Sequence, residues 1–181
     1  MCSSDLKLVA TALGDHPRLN AALDEDTVKV FDEINIGMAM ALPDGNLVVP
    51  VIHHADRLSI DEIAARAADL QARGRGGKLT LNDMQRGTFT LSNAGMLSSV
   101  RWITPLLNPP QCAILATGAI TERAVVREGA ICKRWIVELS ITFDHRALNG
   151  FAVSRFLDTL VGSIAEPAVM LGLPDETDET A

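Results

Sequence analysis

The stretch Ile141-Thr142-Phe143-Asp144-His145-Arg146-Ala147-Leu148-Asn149-Gly150-Phe151 joins two hydrophobic patterns of different period. Upstream, Ile131 to Phe143 is rich in apolar and β-branched residues and follows Val125-Val126 across a Glu128-Gly129 turn, which predicts strands. Downstream, Phe151, Phe156, Leu157, Leu160 and Ile164 are spaced as the core face of a helix over Phe151 to Ile164, with Pro167 ending it. Between them lies a polar strand-to-helix loop that carries a histidine, and such loops are where scaffolds place reactive groups. Spacing alone leaves two accounts open. One is an ion-paired turn in which Asp144 and Arg146 hold the loop and Asn149-Gly150 starts the helix; the other is a site built on His145.

Nearer the N-terminus, Leu6, Leu8, Val9, Ala12 and Leu13 begin at helical spacing and break at Gly14 and Pro17. Ile34 to Leu42, the turn Pro43-Asp44-Gly45-Asn46 and Leu47 to Ile52 predict a β-hairpin, with Asp-Gly supplying the positive φ of a tight turn. Ser59 followed by Glu62 is a capping box, and Ile60, Ile63, Ala64, Ala67 and Leu70 share one helical face up to Gly74. Thr80 to Arg86 reads as one short helical turn, and Thr88 to Ser92 and Ala113 to Thr117 read as strands. Pro109 and Pro110 exclude a central strand between those two. Hairpins and helices interspersed without strict β-α alternation predict a mixed-sheet α/β sandwich.

At 181 residues the chain has the size of one domain. Four units of its net charge of −7 come from Asp175, Glu176, Asp178 and Glu179 in an acidic tail, and the remaining mixed surface has no electrostatic footprint for nucleic acid or an anionic membrane. The longest mainly apolar stretches, Ile34 to Leu42 and Cys112 to Ile120, fall well short of the roughly 20 residues of a spanning helix. Three cysteines without C-x-x-C spacing suggest neither a disulfide framework nor a zinc knuckle, and the expected location is cytoplasmic. A mean hydropathy of +0.18 with 4% aromatic residues makes the apolar content mostly small and aliphatic.

Of the other histidines, His16 precedes Pro17 in a turn and His53 and His54 close a strand, positions of solvated or capping imidazoles. Ser92 stands in Leu91-Ser92-Asn93-Ala94-Gly95, which lacks the G-x-S-x-G elbow of a hydrolase nucleophile. Read by itself it is a hydroxyl that ends a strand and serves a turn.

The stretch Phe143 to Gly150 resembles the H-R-x-x-[D/N]-G signature of dihydrolipoamide acyltransferases, the core subunits of 2-oxo acid dehydrogenase complexes. Gly45-Asn46-Leu47-Val48-Val49-Pro50-Val51-Ile52, Gly87-Thr88-Phe89-Thr90-Leu91-Ser92-Asn93-Ala94-Gly95-Met96 and Asn108-Pro109-Pro110-Gln111-Cys112-Ala113-Ile114-Leu115-Ala116 are similar to that family's other blocks, in the same order. The resemblance covers about residues 30 to 171. It implies a chloramphenicol acetyltransferase-like fold, a two-layer sandwich. It also implies a homotrimer with each active site between two subunits, and further assembly into cubic or icosahedral cores.

The chemistry implied is acyl transfer between a dihydrolipoyl thioester and coenzyme A, both of them substrates, with no metal. The thiolate is the nucleophile, a free thiol is mostly protonated at neutral pH, and a free imidazole, titrating near ~6.5, suits the proton transfer. By resemblance His145 is that base, and Ser92 donates a hydrogen bond to the developing oxyanion, a contribution of roughly 2.7–4 kcal/mol when water is excluded. Asn149 completes the catalytic set that the resemblance implies; it stands where many relatives carry aspartate, so its support of the loop must be neutral, and Asn also suits an N-cap. Asp144, Arg146 and Gly150 are assigned to loop geometry. The residues contacting coenzyme A are not identified.

The expected organisation is a non-family remnant over residues 1–6, an acyltransferase catalytic domain over 7–173 lacking its first elements, and a disordered acidic tail over 174–181. Lipoyl and subunit-binding domains, which in the family engage the 2-oxo acid dehydrogenase and dihydrolipoamide dehydrogenase, do not fit in this chain. The acyl group is taken as acetyl, since pyruvate complexes are widespread. A core subunit that assembles without being competent alone is the first alternative, and chloramphenicol-type acetylation is the second.

Overall fold

Three short strands, β3 (Ile36–Ala41), β6 (Phe89–Asn93) and β7 (Ala113–Thr117), run parallel at the centre of the molecule, with Met38 opposite Leu91 and Leu91 opposite Leu115. The structure, a computed structural model, describes residues 3–166. Ahead of these strands lie helix α1 (Ser3–Asp15) and the hairpin of β1 (Ala21–Asp24) and β2 (Thr27–Val30). Strands β4 (Leu47–Val48) and β5 (Val51–Ile52) both pair antiparallel with β3. Helices α2 (Ile60–Arg75) and α3 (Leu81–Met84) lead into β6. After β7 come the ribbon of β8 (Thr121–Arg127) and β9 (Ala130–Ile136), then β10 (Leu139–Phe143) antiparallel to β7, then α4 (Gly150–Ala165). The main sheet therefore reads β10-β7-β6-β3-β4, with β5 also on β3, a mixed sheet as expected.

Alternation along the strands divides the sheet into two faces. Ile36, Met38, Phe89, Leu91, Ala113 and Leu115 join the core that α1, α2 and α4 close with Leu6, Leu13, Ile63, Leu70, Phe156 and Leu160. The opposite face carries small and hydroxyl side chains, and the segment between β6 and β7 crosses it. Thr90 donates to Gln111 at 2.6 Å, Thr142 to the carbonyl of Pro105 at 2.7 Å, and Ser140 to the carbonyl of Ile103. These bonds give the Thr90, Ser140 and Thr142 hydroxyls their partners on this face.

Several expectations hold to the residue. Ser59 and Glu62 form the capping box of α2; the short turn expected over Thr80 to Arg86 is α3, which Thr80 and Asp83 cap with a box that was not foreseen. Helix α1 begins at Ser3, inside the six residues set apart by the sequence, and Leu6 is fully buried. Pro167 and the acidic tail lie outside the described residues.

Other expectations are corrected. Ile131 to Phe143 is not continuous: it divides at Val137-Glu138, where the Glu138 carbonyl accepts from the Gly118 amide at 3.0 Å and its carboxylate pairs with Arg123. The first part stays in the β8–β9 ribbon and the second enters the main sheet. On α4 the core face is Val153, Phe156, Leu160 and Ser163, whereas Phe151 is 74% exposed and Ile164 39% exposed. Five positions from Phe156, Phe151 is rotated about 140° away from the core at 100° per residue, while Val153 is only about 60° away.

Candidate active site

The loop after β10 is built from its own polar groups. The Asp144 amide donates to the carbonyl of Cys112 at 2.8 Å, which ties the loop to the start of β7. The Asp144 carbonyl accepts from the amides of Ala147 and Leu148 at 3.1 and 3.0 Å, closing a turn, and buried Leu148 anchors that turn in the core. Asn149 then caps α4, its Oδ1 accepting from the Ala152 amide at 2.9 Å. Gly150, the first residue of α4, faces open space.

Asp144 and Arg146 form the expected ion pair. The carboxylate accepts from the Arg146 amide at 2.9 Å, from Nε at 3.0 Å and from a terminal guanidinium nitrogen at 2.6 Å. The guanidinium hydrogen bonds, with help from the amide, hold the Asp144 carboxyl down at about 2, and the same bonds raise Arg146 above its ordinary value. The ion-paired turn and the displayed histidine are thus the same structure. With Asp144 engaged by Arg146, His145 stands exposed, its ring 5.4 Å from that of Phe143 and tilted by 39°.

Ser92 lies in β6 between Ala39 of β3 and Ala116 of β7. It is partly buried, and its hydroxyl has no hydrogen-bond partner among the described residues. Its lateral neighbours are two alanines, too small to crowd the hydroxyl. The turn beyond is held by Asn93, whose Oδ1 accepts from the Gly95 amide at 2.7 Å. A Cβ at Gly95 would meet the Gly118 carbonyl oxygen at 2.6 Å, so only glycine fits there.

The strand registers show that Ser92 and His145 are not neighbours. Ser92 pairs with Ala116 and Ala116 with Ser140, whereas Phe143, two residues before His145, pairs with Ala113. The three positions from Ser140 to Phe143 alone span roughly 10 Å along the strands. Reacting groups must approach to about 3–3.5 Å, so one chain does not assemble the pair. An apolar cavity of about 240 Å³ lies between α1, α4 and the β6–β7 ends, lined by Leu91, Leu115 and Leu160 among others, but by neither Ser92 nor His145.

The remaining histidines have local roles. His16 shares a 2.8 Å hydrogen bond with the Thr159 hydroxyl and meets the Phe156 ring edge-on, fastening the end of α1 to α4. His53 reaches the Asn82 carbonyl at 3.3 Å, and His54 adopts a left-handed conformation ahead of a short turn. Two contributors escaped sequence reasoning: the Cys112 carbonyl, which shows in no motif, and the Phe143 ring, which stands in the motif but reads there as a strand residue.

The family model for the 2-oxoacid dehydrogenases acyltransferase catalytic domain matches residues 3–172. The succinyltransferase component of the 2-oxoglutarate dehydrogenase complex of Haemophilus influenzae is 37% identical over 92% of this chain and 40% of its own length. The acetyltransferase component of the pyruvate dehydrogenase complex of Mycoplasma capricolum is also 37% identical, over 91% of this chain and 38% of its own length. This chain therefore spans about 40% of these curated relatives. Among solved structures, the cubic core of the pyruvate dehydrogenase multienzyme complex superposes with a TM-score of 0.88 at 33% identity, over 93% of this chain and 70% of that one. A chloramphenicol acetyltransferase superposes at 0.58 with 18% identity, over 87% and 74% of the two chains, a likeness of fold.

Proposed function

Because the chain belongs to the 2-oxoacid dehydrogenase acyltransferase catalytic-domain family, we propose that it transfers an acyl group between the dihydrolipoyl arm of a lipoyl domain and coenzyme A. The observation that carries this reading is the placement of His145 on a hydrogen-bonded loop and of an unpartnered Ser92 hydroxyl at the other end of the same sheet. That separation fits a site completed between two copies of the chain, with His145 from one and Ser92 from its neighbour.

In this reading His145 takes the proton of the coenzyme A thiol, and the thiolate attacks the thioester carbonyl of the acylated lipoyl arm. A new carbon–sulfur bond forms, and negative charge moves to the carbonyl oxygen. The Ser92 hydroxyl donates to that oxygen, and the tetrahedral intermediate collapses as the bond to the lipoyl sulfur breaks. The leaving sulfur takes back the proton held on His145. No electrons are gained or lost, and the reverse reaction uses the same groups. Asn149 and the Asp144–Arg146 pair set the loop from which His145 acts.

Trimers built this way, and the larger cores they form, are part of the proposal, as are engagement of a 2-oxo acid dehydrogenase and dihydrolipoamide dehydrogenase by other parts of the assembly. Acetyl is our working acyl group, and succinyl is tested beside it because a relative of each kind is 37% identical. Among the described residues no helix is long and apolar enough to cross a membrane, and we place the enzyme in the cytoplasm. The test is His145→Ala, assayed for coenzyme A-dependent acyl transfer to dihydrolipoamide. A loss of about 10²- to 10⁴-fold with unchanged melting is expected, and near-normal activity would refute the mechanism.

A further inference from the structure

His145 lacks the support that a catalytic imidazole receives from a carboxylate. Its neighbour Asp144 is engaged by three donors of Arg146, and no described residue hydrogen-bonds the imidazole. An exposed histidine held only by its backbone can populate several χ1 wells. What restrains this one is a ring. Phe143 is fixed in β10 by pairing with Ala113, packs against the core, and lies with its centroid 5.4 Å from that of the imidazole.

We infer that Phe143 is the positioning residue of His145, the aromatic face against which the imidazole is oriented in place of an Asp–His hydrogen bond. This rests on the reading of His145 as the base. The 5.4 Å centroid separation lies within the range over which aromatic pairs attract, at a tilt between stacked and edge-to-face. An imidazole that has accepted a proton gains further from the same ring face. The Phe143 ring thus links the loop, through the imidazole, to a strand packed on the core. Leucine at this position would preserve burial in the core and remove the ring face.

Three measurements test the inference on the chain itself. First, nuclear Overhauser contacts between the Phe143 ring protons and the His145 imidazole protons are expected in the unmodified protein, and their absence overturns it whatever the variants do. Second, Phe143→Leu should move the His145 ring resonances, while Phe143→Tyr should leave them near their original positions. Third, Phe143→Leu should lower kcat about five-fold, the size of one aromatic pair, with KM for coenzyme A unchanged and with activity restored in Phe143→Tyr. Wild-type kcat in Phe143→Leu, or equal loss in Phe143→Leu and Phe143→Tyr, overturns the positioning role. If His145→Ala keeps full activity, the proposed mechanism fails instead, while the ring contacts and resonance shifts still report on the packing.

Discussion

Ser92 and His145 sit at opposite ends of one mixed sheet, separated along the strands by the three positions between Ser140 and Phe143 and by the loop beyond them. Among the described residues Ser92 has an unpartnered hydroxyl flanked by Ala39 and Ala116, and His145 projects from a turn held by the Asp144–Arg146 pair and the Asn149 cap. A site that needs both must bring two sheets together. A set of exposed apolar side chains, Trp102, Leu106, Ile131 and Trp135 among them, fits such an arrangement.

Ser92→Ala removes a hydroxyl that makes no hydrogen bond within the chain, so its stability should change by no more than about 0.5 kcal/mol. Catalysis should suffer far more, with kcat down about 10²- to 10³-fold and KM for coenzyme A little changed. Thermal melting beside steady-state kinetics separates the two effects.

The Asp144–Arg146 pair gives the loop a pH dependence whose sign is fixed. Asp144 titrates lower in the folded chain, at about 2, than its ordinary value of 3.8, because of the Arg146 hydrogen bonds. The stability it adds is therefore present above pH ~4 and lost as pH falls toward 2. Carbon-detected titration of the Asp144 carboxyl should find the low midpoint in the parent chain and a rise toward the ordinary value in Arg146→Met.

Asn149 has one visible bond, the cap to Ala152. Asn149→Ala should destabilise the chain by about 1 kcal/mol in denaturant melts. Asn149→Asp should keep the cap and gain from the positive end of the α4 dipole. If Asn149→Ala melts like the parent chain, the cap is not what holds the start of α4.

Much of this architecture was readable from local chemistry. The hairpin at Asp44-Gly45, the capping box at Ser59, the short helical turn after Thr80 and the strand–loop–helix passage through His145 each follow from residues within a few positions of one another. The β1–β2 hairpin was not readable, because its turn places Glu25 at φ 52° where a glycine or asparagine would have announced it, and β2 is exposed throughout. The exposure of Phe151 depends on which way α4 rolls against α1, a tertiary choice that leaves the helical period intact. The separation of Ser92 from His145 was hidden for a similar reason. The motifs name the residues, but only the pairing of β10 with β7 and of β7 with β6 sets where along the sheet each one falls.

The central claim, that two copies of the chain complete one site, is tested most directly by mixing two inactive variants. Ser92→Ala and His145→Ala are co-assembled in equal amounts, and acyl transfer is measured against each variant alone. In a head-to-tail trimer assembled at random, about a quarter of the sites pair an intact His145 with an intact Ser92 from the neighbouring copy, so activity should recover to about that fraction of the parent chain. A mixture no more active than the variants alone would contradict the account.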